Sequence, residues 1–210
     1  MRRVRKIKLQ IKSTLLYHGI HIPNKYDTPH WSKAFLKWLK NIEWYYPTIA
    51  FSFESMLEEL MFHDKALKDV STKIRTHCRR HHKQDYDLLR SVPGIGPLSA
   101  AYILSEIGDI RRFTAFKKFA SYVGIVPNVH NSGDITRAIG VNPRANRTIR
   151  TTIVEASWVA IRHDPVLQEY FRKHAHHNSK AAIFKVSRKL LSRIYAVIHS
   201  STPYEVGLIQ

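Results

Sequence analysis

A glycine turn between two helical segments is the feature that most constrains this chain. Pro93-Gly94-Ile95-Gly96-Pro97 separates two apolar patterns with helical spacing. Glycine permits positive φ and removes side-chain bulk, and Pro97 suits the first turn of a following helix. The pattern predicts a helix-hairpin-helix, in which Gly94 and Gly96 let a phosphate approach the free amides of the second helix. An ordinary helical hairpin, with glycines that serve close packing, is the alternative.

The charge of the chain favours a polyanionic partner. Lys and Arg number 34 and Asp and Glu number 16 among 210 residues, which gives a formal net charge of +18. Such an excess of one sign repels itself and attracts nucleic acid. An anionic membrane is the rival partner, but no apolar run approaches the ~20 residues of a spanning helix. The single cysteine, Cys78, excludes an internal disulfide and fits a reducing compartment, so we expect a cytoplasmic protein.

The apolar spacing predicts a mostly α fold in two parts. Helical patterns cover residues 2–18, 31–40, 53–80, 143–162, 165–176 and 179–199, and no long alternating strand is evident. Asn142-Pro143 and Asp164-Pro165 are cap-then-proline helix starts. We expect residues 1–84 to form a basic helix, an aromatic linker and a coiled-coil-like helix. Residues 85–210 then form a second helical domain, with the helix-hairpin-helix near 90–110.

The long helix of the first part carries a seven-residue apolar repeat. Phe53, Leu60, Leu67 and Ile74 form this seam, which is typical of a coiled coil. Its partner is either the first helix or another subunit, and we expect a homo-oligomer through this region. The linker before it is rich in aromatic residues, which favour a small satellite core over a base-stacking surface. These residues are Trp31, Phe35, Trp38, Trp44, Tyr45 and Tyr46.

A basic segment follows the glycine turn. Residues 111–150 contain eight Lys or Arg and one acid, Asp134. Arg144, Arg147 and Arg150 lie three apart, on one face at the start of the helix expected from 143. Cations at a helix start oppose its dipole unless an anion binds there, so we interpret them as a phosphate clamp rather than a solvated face. The predicted phosphate-binding residues are Gly94, Gly96, Arg111, Arg112, Lys117, Lys118, Arg144, Arg147, Arg150, Lys185, Arg188 and Lys189.

A histidine cluster lies at the end of the long helix. His77 and His81 have the i,i+4 spacing of a zinc-binding edge, with Cys78 and His82 beside them. No second pair of ligands with suitable spacing is apparent in the sequence. Surface histidines or phosphate contacts are therefore the preferred interpretation, and no metal site is predicted.

Four segments together resemble a known family. They are SVPGIGPLSAAYILSEIGDIRRF at 91–113, FASYVGIVPNVHNSGD at 119–134, NPRANRTIRTTIVEASWVAIRHDP at 142–165 and KAAIFKVSRKLLSRIYAVI at 180–198. In order and spacing they resemble the transposase domain of the insertion-sequence one-ten family, which includes relatives of a pilin-gene invertase. The resemblance implies DNA as substrate and, in some members, a structured bridge-type guide RNA.

The resemblance also implies a serine nucleophile. By position it falls on Ser132, which the residues alone would identify only as a turn serine. In the family this serine attacks a DNA phosphodiester and works with a RuvC-like DEDD domain that binds magnesium. Asn131 stands where the family often has a second serine, and Ala145 stands where a glycine is common before Asn146.

The resemblance therefore implies the C-terminal part of a transposase or site-specific recombinase. We expect this chain to lack the DEDD domain, so that magnesium would bind only in that domain and this chain alone would hold no cofactor. The alternative is a non-catalytic helix-hairpin-helix module that binds nucleic acid, or the remnant of a transposase.

Overall fold

A computed structural model describes residues 2–28, 30–132, 135–141, 145–176 and 178–207, and in 127–132 and 135–141 it describes the backbone alone. The fold is mostly α, as predicted. The helices are α1 (Arg2–Tyr17), α2 (Lys33–Lys40), α3 (Pro47–His81), α4 (Lys83–Ser91), α5 (Pro97–Ile107), α6 (Phe116–Val123), α7 (Arg147–His163), α8 (Pro165–Ala175) and α9 (Ser179–Ser200). A short 3-10 helix, Ile110–Arg112, follows α5, and two strands, β1 (Pro127–Ser132) and β2 (Ile135–Val141), lie between α6 and α7.

The chain divides into two compact units, Met1–Thr72 and Lys73–Gln210. This division comes earlier than the boundary expected after residue 84. The reason is packing, because Ile74 and Cys78 near the end of α3 contact the core of the second unit.

The first unit has its own small core. Ile7, Ile11 and Leu15 lie at i, i+4 and i+8 on α1, so they share one face and are buried together with residues of α2 and α3. Trp31, Trp38 and Trp44 are partly buried against that cluster, and this arrangement is the satellite core that the sequence favours. The neighbouring linker residues Tyr45 and Tyr46 are exposed.

The seven-residue seam of α3 does not stay on one continuous interface. Phe53 and Leu60 are buried beside α1 in the first unit, whereas Ile74 packs against the core of the second. Leu67, the seam residue between Leu60 and Ile74, is partly exposed. The first helix is thus the partner of the early part of the seam, and oligomerisation through this region stays a prediction.

The second unit is built on α7, α8 and α9, with α4, α5 and α6 packed beside them. As predicted, α8 begins at Pro165, after Asp164 accepts hydrogen bonds from the amides of Val166 and Leu167. The predicted start of α7 at 143 is wrong. Asn146 caps this helix, with its side chain accepting from the amides of Thr148 and Ile149.

The strands form an antiparallel hairpin that the sequence analysis missed. Its register pairs His130 with Arg137 and Ser132 with Ile135, with a shift between Pro127 and Val129. Pro-Asn-Val-His-Asn-Ser has no clear alternation of apolar and polar residues, so the usual strand signal is absent. Ser132 is therefore the last residue of β1, at the turn of the hairpin.

Candidate nucleic-acid interface

The two glycines of the turn between α4 and α5 have different roles. Gly94 has a φ of +84°, and a Cβ there would lie 2.1 Å from the carbonyl oxygen of Ala156 on α7. Close packing therefore accounts for Gly94. Gly96 caps α5 ahead of Pro97, and a Cβ there would meet nothing within 4 Å. The start of α5 thus has open space beside its capping residue.

Arg111 is engaged within the domain. Its guanidinium donates two hydrogen bonds of 2.9 Å to the Asp85 carboxylate and one of 3.3 Å to the Ser201 hydroxyl. The hydrogen bonds with Asp85 raise the pKa of Arg111, although burial opposes them. Arg111 joins the 3-10 helix to α4, and a phosphate would have to compete with that pair. The interface proposed below therefore leaves Arg111 out.

Three other predicted cations lie at the start of α6 or just before it. Arg112 is exposed, with its guanidinium 4.7 Å from the centroid of Phe113 and 5.2 Å from that of Tyr122. Lys117 and Lys118 are exposed in the first turn of α6, and Lys118 donates to the Thr114 hydroxyl at 3.2 Å. Cations at a helix start oppose its dipole unless an anion binds there, so these side chains are suited to a phosphate.

The hairpin root is the set of residues at which β1 and β2 join the helices: Tyr122, Gly124, Ile125, Ala145 and Asn146. Gly124 ends α6 in the left-handed region. A Cβ on Gly124 would lie 2.2 Å from Ala145 Cβ and 2.9 Å from an Arg150 guanidinium nitrogen. The backbone N–H of Asn146 donates to the Tyr122 carbonyl at 3.2 Å. Both ends of the hairpin are therefore held against each other.

Two arginines flank the hairpin root. Arg150 lies over Gly124, as the close approach of its guanidinium shows. Arg188, on α9, donates to the Ile125 carbonyl at 3.0 Å and lies 5.3 Å from the centroid of the Phe116 ring. Two of the predicted phosphate-binding residues thus come together where the hairpin leaves the helices.

Sequence reasoning missed a polar group beside the root. The side-chain amide of Asn146 donates to a Glu106 carboxylate oxygen at 3.1 Å, and the Tyr122 hydroxyl donates to the Glu106 backbone carbonyl at 3.3 Å. Burial raises the pKa of Tyr102, and the Glu106 carboxylate adds to that effect against a hydrogen bond with Thr148. The N-cap preference of asparagine could have identified Asn146, but an isolated glutamate gives no such signal.

The other predicted site residues are spread over the second unit. Arg147 is the exposed first residue of α7, and Lys185 is exposed on α9. The Lys189 ammonium lies 4.5 Å from the centroid of the Tyr170 ring. Arg144 lies outside the described residues, and α7 begins after it. Arg147 and Arg150 lie three apart at the start of α7, and a shared face of all three arginines stays a prediction.

Residues 86–172 match the family model described as the transposase IS116/IS110/IS902 family. Residues 86–172 are therefore a segment similar to the transposase domain of this family. The matched residues of the transposase domain run from α4 into α8, so they include the glycine turn, the hairpin root and Ser132.

Named relatives agree with that assignment. The transposase for insertion sequence element IS1111A of Coxiella burnetii is 28% identical over 105 residues, which are 50% of this chain and 28% of the relative. The pilin gene-inverting protein of Moraxella bovis is 30% identical over 122 residues, 56% of this chain and 38% of the relative. The insertion element IS110 43.6 kDa protein of Streptomyces coelicolor is 27% identical over 120 residues, 56% and 30% of the two chains. The chain thus spans about a third of the length of these relatives.

The described residues of the chain show neither a metal-binding cluster nor a membrane-spanning helix. Among those residues no group of three or more His, Cys, Asp or Glu is arranged to hold a metal ion. Within the same residues, no helix has both the length and the apolar character needed to cross a bilayer.

Proposed function

We propose that this domain holds DNA phosphates and supplies Ser132 as the nucleophile of DNA strand transfer. The DEDD domain that works with it would be part of the longer protein or of a second chain. The observation that carries the proposal is the position of Ser132 at the turn of a hairpin whose two ends are fastened at the root. A fastened hairpin can present one residue repeatedly in the same place, which phosphoryl transfer requires.

The proposed step is a transesterification. The Ser132 Oγ–P bond forms while the bond from phosphorus to one deoxyribose oxygen breaks, and the leaving oxygen takes up a proton. The hydroxyl must lose its own proton as it attacks. Magnesium bound by the DEDD carboxylates would supply Lewis acidity there. The cations of this chain would neutralise the phosphate charge and hold the strand in register.

The proposed phosphate contacts lie on five elements, and the side chains among them are exposed. They are the start of α5 at Gly96 and the side chains of Arg112, Lys117, Lys118, Arg147 and Lys185. Arg150 and Arg188 brace the hairpin root and would act on phosphate near it. In the complete recombinase, a bridge-type guide RNA and a second copy of the chain are further proposed partners, which footprinting and sedimentation would test.

The test is Ser132→Ala in a recombination assay with the DEDD domain and any required RNA supplied. We expect strand transfer and the protein–DNA adduct to disappear, because the attacking oxygen is gone. DNA affinity should stay within about twofold, because no charge changes. Ser121→Ala removes a hydroxyl from an exposed position on α6 and is the matched control, with recombination at the parental rate.

The alternative is a binding module without chemistry. Recombination by Ser132→Ala at the parental rate, with DNA affinity retained, would assign that function and remove Ser132 from the mechanism. Peptide mapping of any adduct to another residue would do the same.

A further inference from the structure

A pocket of about 590 Å³ lies in the second unit, between the end of α3, the start of α4 and α5. It is lined by Lys73, Ile74, His77, Cys78, His82, Leu104 and Ser105. None of these residues belongs to the interface described above. We infer that this pocket binds an unpaired nucleotide of a nucleic-acid strand. The inference rests on the proposed function, because it adds a second contact to the same class of ligand.

The rim of the pocket is strongly basic. Residues 73–83 contain five Lys or Arg and three His, with no acid. Lys73, His77 and His82 are exposed on the pocket, and Arg79 and Arg80 are exposed nearby on α3. A concave surface with one sign of charge attracts the opposite charge, and a nucleic-acid phosphate supplies it.

The imidazole rings are grouped at this rim. The His77 ring centroid lies 4.5 Å from that of His81 and 6.3 Å from that of His82. Protonated rings this close repel one another, and a phosphate beside them offsets the repulsion. The same rings offer flat faces on which a nucleobase can stack. The cluster therefore suits a ligand with both an anion and a planar ring.

The floor of the pocket is apolar and unreactive. Ile74 and Leu104 supply aliphatic surface. Cys78 is only 3% exposed, and its thiol faces the Ala101 carbonyl with the sulfur 3.7 Å from the oxygen. Burial raises the pKa of Cys78, so the thiol stays neutral and is no nucleophile. A base would find apolar contact here, while its phosphate stays at the rim.

No carboxylate among the described residues lines the pocket. On α4, Lys83 is the first residue, and the Asp85 carboxylate is paired with Arg111. On α5, Ser105 lines the pocket, and Glu106 after it is hydrogen-bonded to Asn146. Histidine gains positive charge between about pH 8 and pH 5, so binding should strengthen on acidification.

The experiment measures binding of the full chain to a fluorescent single-stranded thymidine oligonucleotide at pH 8 and pH 6. We expect the unmodified protein to bind about threefold or more tightly at pH 6, and His77→Gln/His82→Gln to lose most of that gain. His163→Gln changes an exposed histidine at the end of α7 and is the matched control, with the gain retained. Circular dichroism confirms that each variant is folded.

Two further arms separate the base from the phosphate. Ser105→Trp fills the pocket without changing its charge, and it should weaken single-strand binding at both pH values. An abasic oligonucleotide should bind the unmodified protein more weakly than the thymidine strand does. Equal binding of the two strands, or unchanged binding by both pocket variants, would overturn the pocket assignment. If the unmodified protein binds neither the single strand nor duplex DNA, the proposed function itself is overturned.

Discussion

At the scale of single residues, one buried carboxylate connects three parts of the second unit. One oxygen of Asp164 accepts from the amides of Val166 and Leu167 at 2.9 and 3.2 Å. The other accepts from Arg193 at 2.7 Å and from the Tyr204 hydroxyl. Burial alone would raise the pKa of Asp164, but these hydrogen bonds and the charge of Arg193 together hold it below its usual value. Asp164 therefore stabilises the fold in its charged form.

Asp164→Asn tests this residue. The variant removes the carboxylate charge that the buried Arg193 donates to, so we expect a loss of about 3–5 kcal/mol in the free energy of unfolding at pH 7. Because the pKa of Asp164 is lower in the folded state, the charged carboxylate stabilises the fold at pH values above the unfolded-state pKa of about 3.9. That stabilisation is lost as the pH falls through the folded-state pKa. Urea unfolding at pH 7 and pH 3 should therefore show a smaller difference between the two proteins in acid. Asp87→Asn, at an exposed position on α4, should stay within about 0.5 kcal/mol.

The glycine turn offers a matched pair of substitutions. Gly94→Ala places a Cβ on a positive φ and against the Ala156 carbonyl, so it should destabilise the domain by about 2 kcal/mol or more. Gly96→Ala has an ordinary φ of −76° and open space, and it should cost within about 1 kcal/mol. Chemical denaturation measures both. Equal losses would show that packing on α7 is not the reason for Gly94.

At the scale of elements, α1 and the early part of α3 stabilise one core between them. Ile11 is fully buried in that core, whereas Val70 lies on the exposed middle of α3. We expect Ile11→Ala to cost about 2–5 kcal/mol and Val70→Ala to cost within about 0.5 kcal/mol. Thermal unfolding followed by tryptophan fluorescence reports mainly on this unit, because three of the four tryptophans, Trp31, Trp38 and Trp44, pack there. A large effect of Val70→Ala would instead indicate a partner on the exposed face.

Local sequence signals predicted a helix start correctly only where contacts distant in sequence did not move it. Asp164-Pro165 begins α8 as expected, because the aspartate caps the first amides. Asn142-Pro143 has the same local form, yet α7 begins at Arg147. Asn146 is held there by the Tyr122 carbonyl and the Glu106 carboxylate, which are distant in sequence. No local pattern contains those partners.

The candidate site, like the helix starts, could be predicted from the sequence only in part. The basic character of the region and the position of Ser132 follow from the sequence and the family resemblance. The pairing of Arg111 with Asp85 does not follow from the sequence, because Asp85 lies 26 positions away and only the fold brings the two together. The hairpin is similarly invisible, since its strands lack a continuous apolar face to reveal their period.

At the scale of the whole molecule, we expect the charge of +18 to dominate any encounter with nucleic acid. Affinity for duplex DNA should fall by about tenfold or more between about 50 and 200 mM salt, because each phosphate contact releases counterions. Lys117→Gln/Lys118→Gln should weaken binding across sequences and lower the salt slope by about 2. Fluorescence anisotropy across a salt series measures both. A response that does not change with salt would contradict the electrostatic basis of binding.

The segment after α9 has a consequence for the order in which the domain is made. The Tyr204 amide donates to the Ser91 hydroxyl at 2.8 Å across 113 positions, and Arg111 reaches Ser201 across 90. The ribosome therefore delivers the glycine turn well before the residues that brace it. Domains fold as units while synthesis proceeds from the N-terminus. For this turn, the arrival of residues 201–204 sets the earliest moment at which its bracing can form.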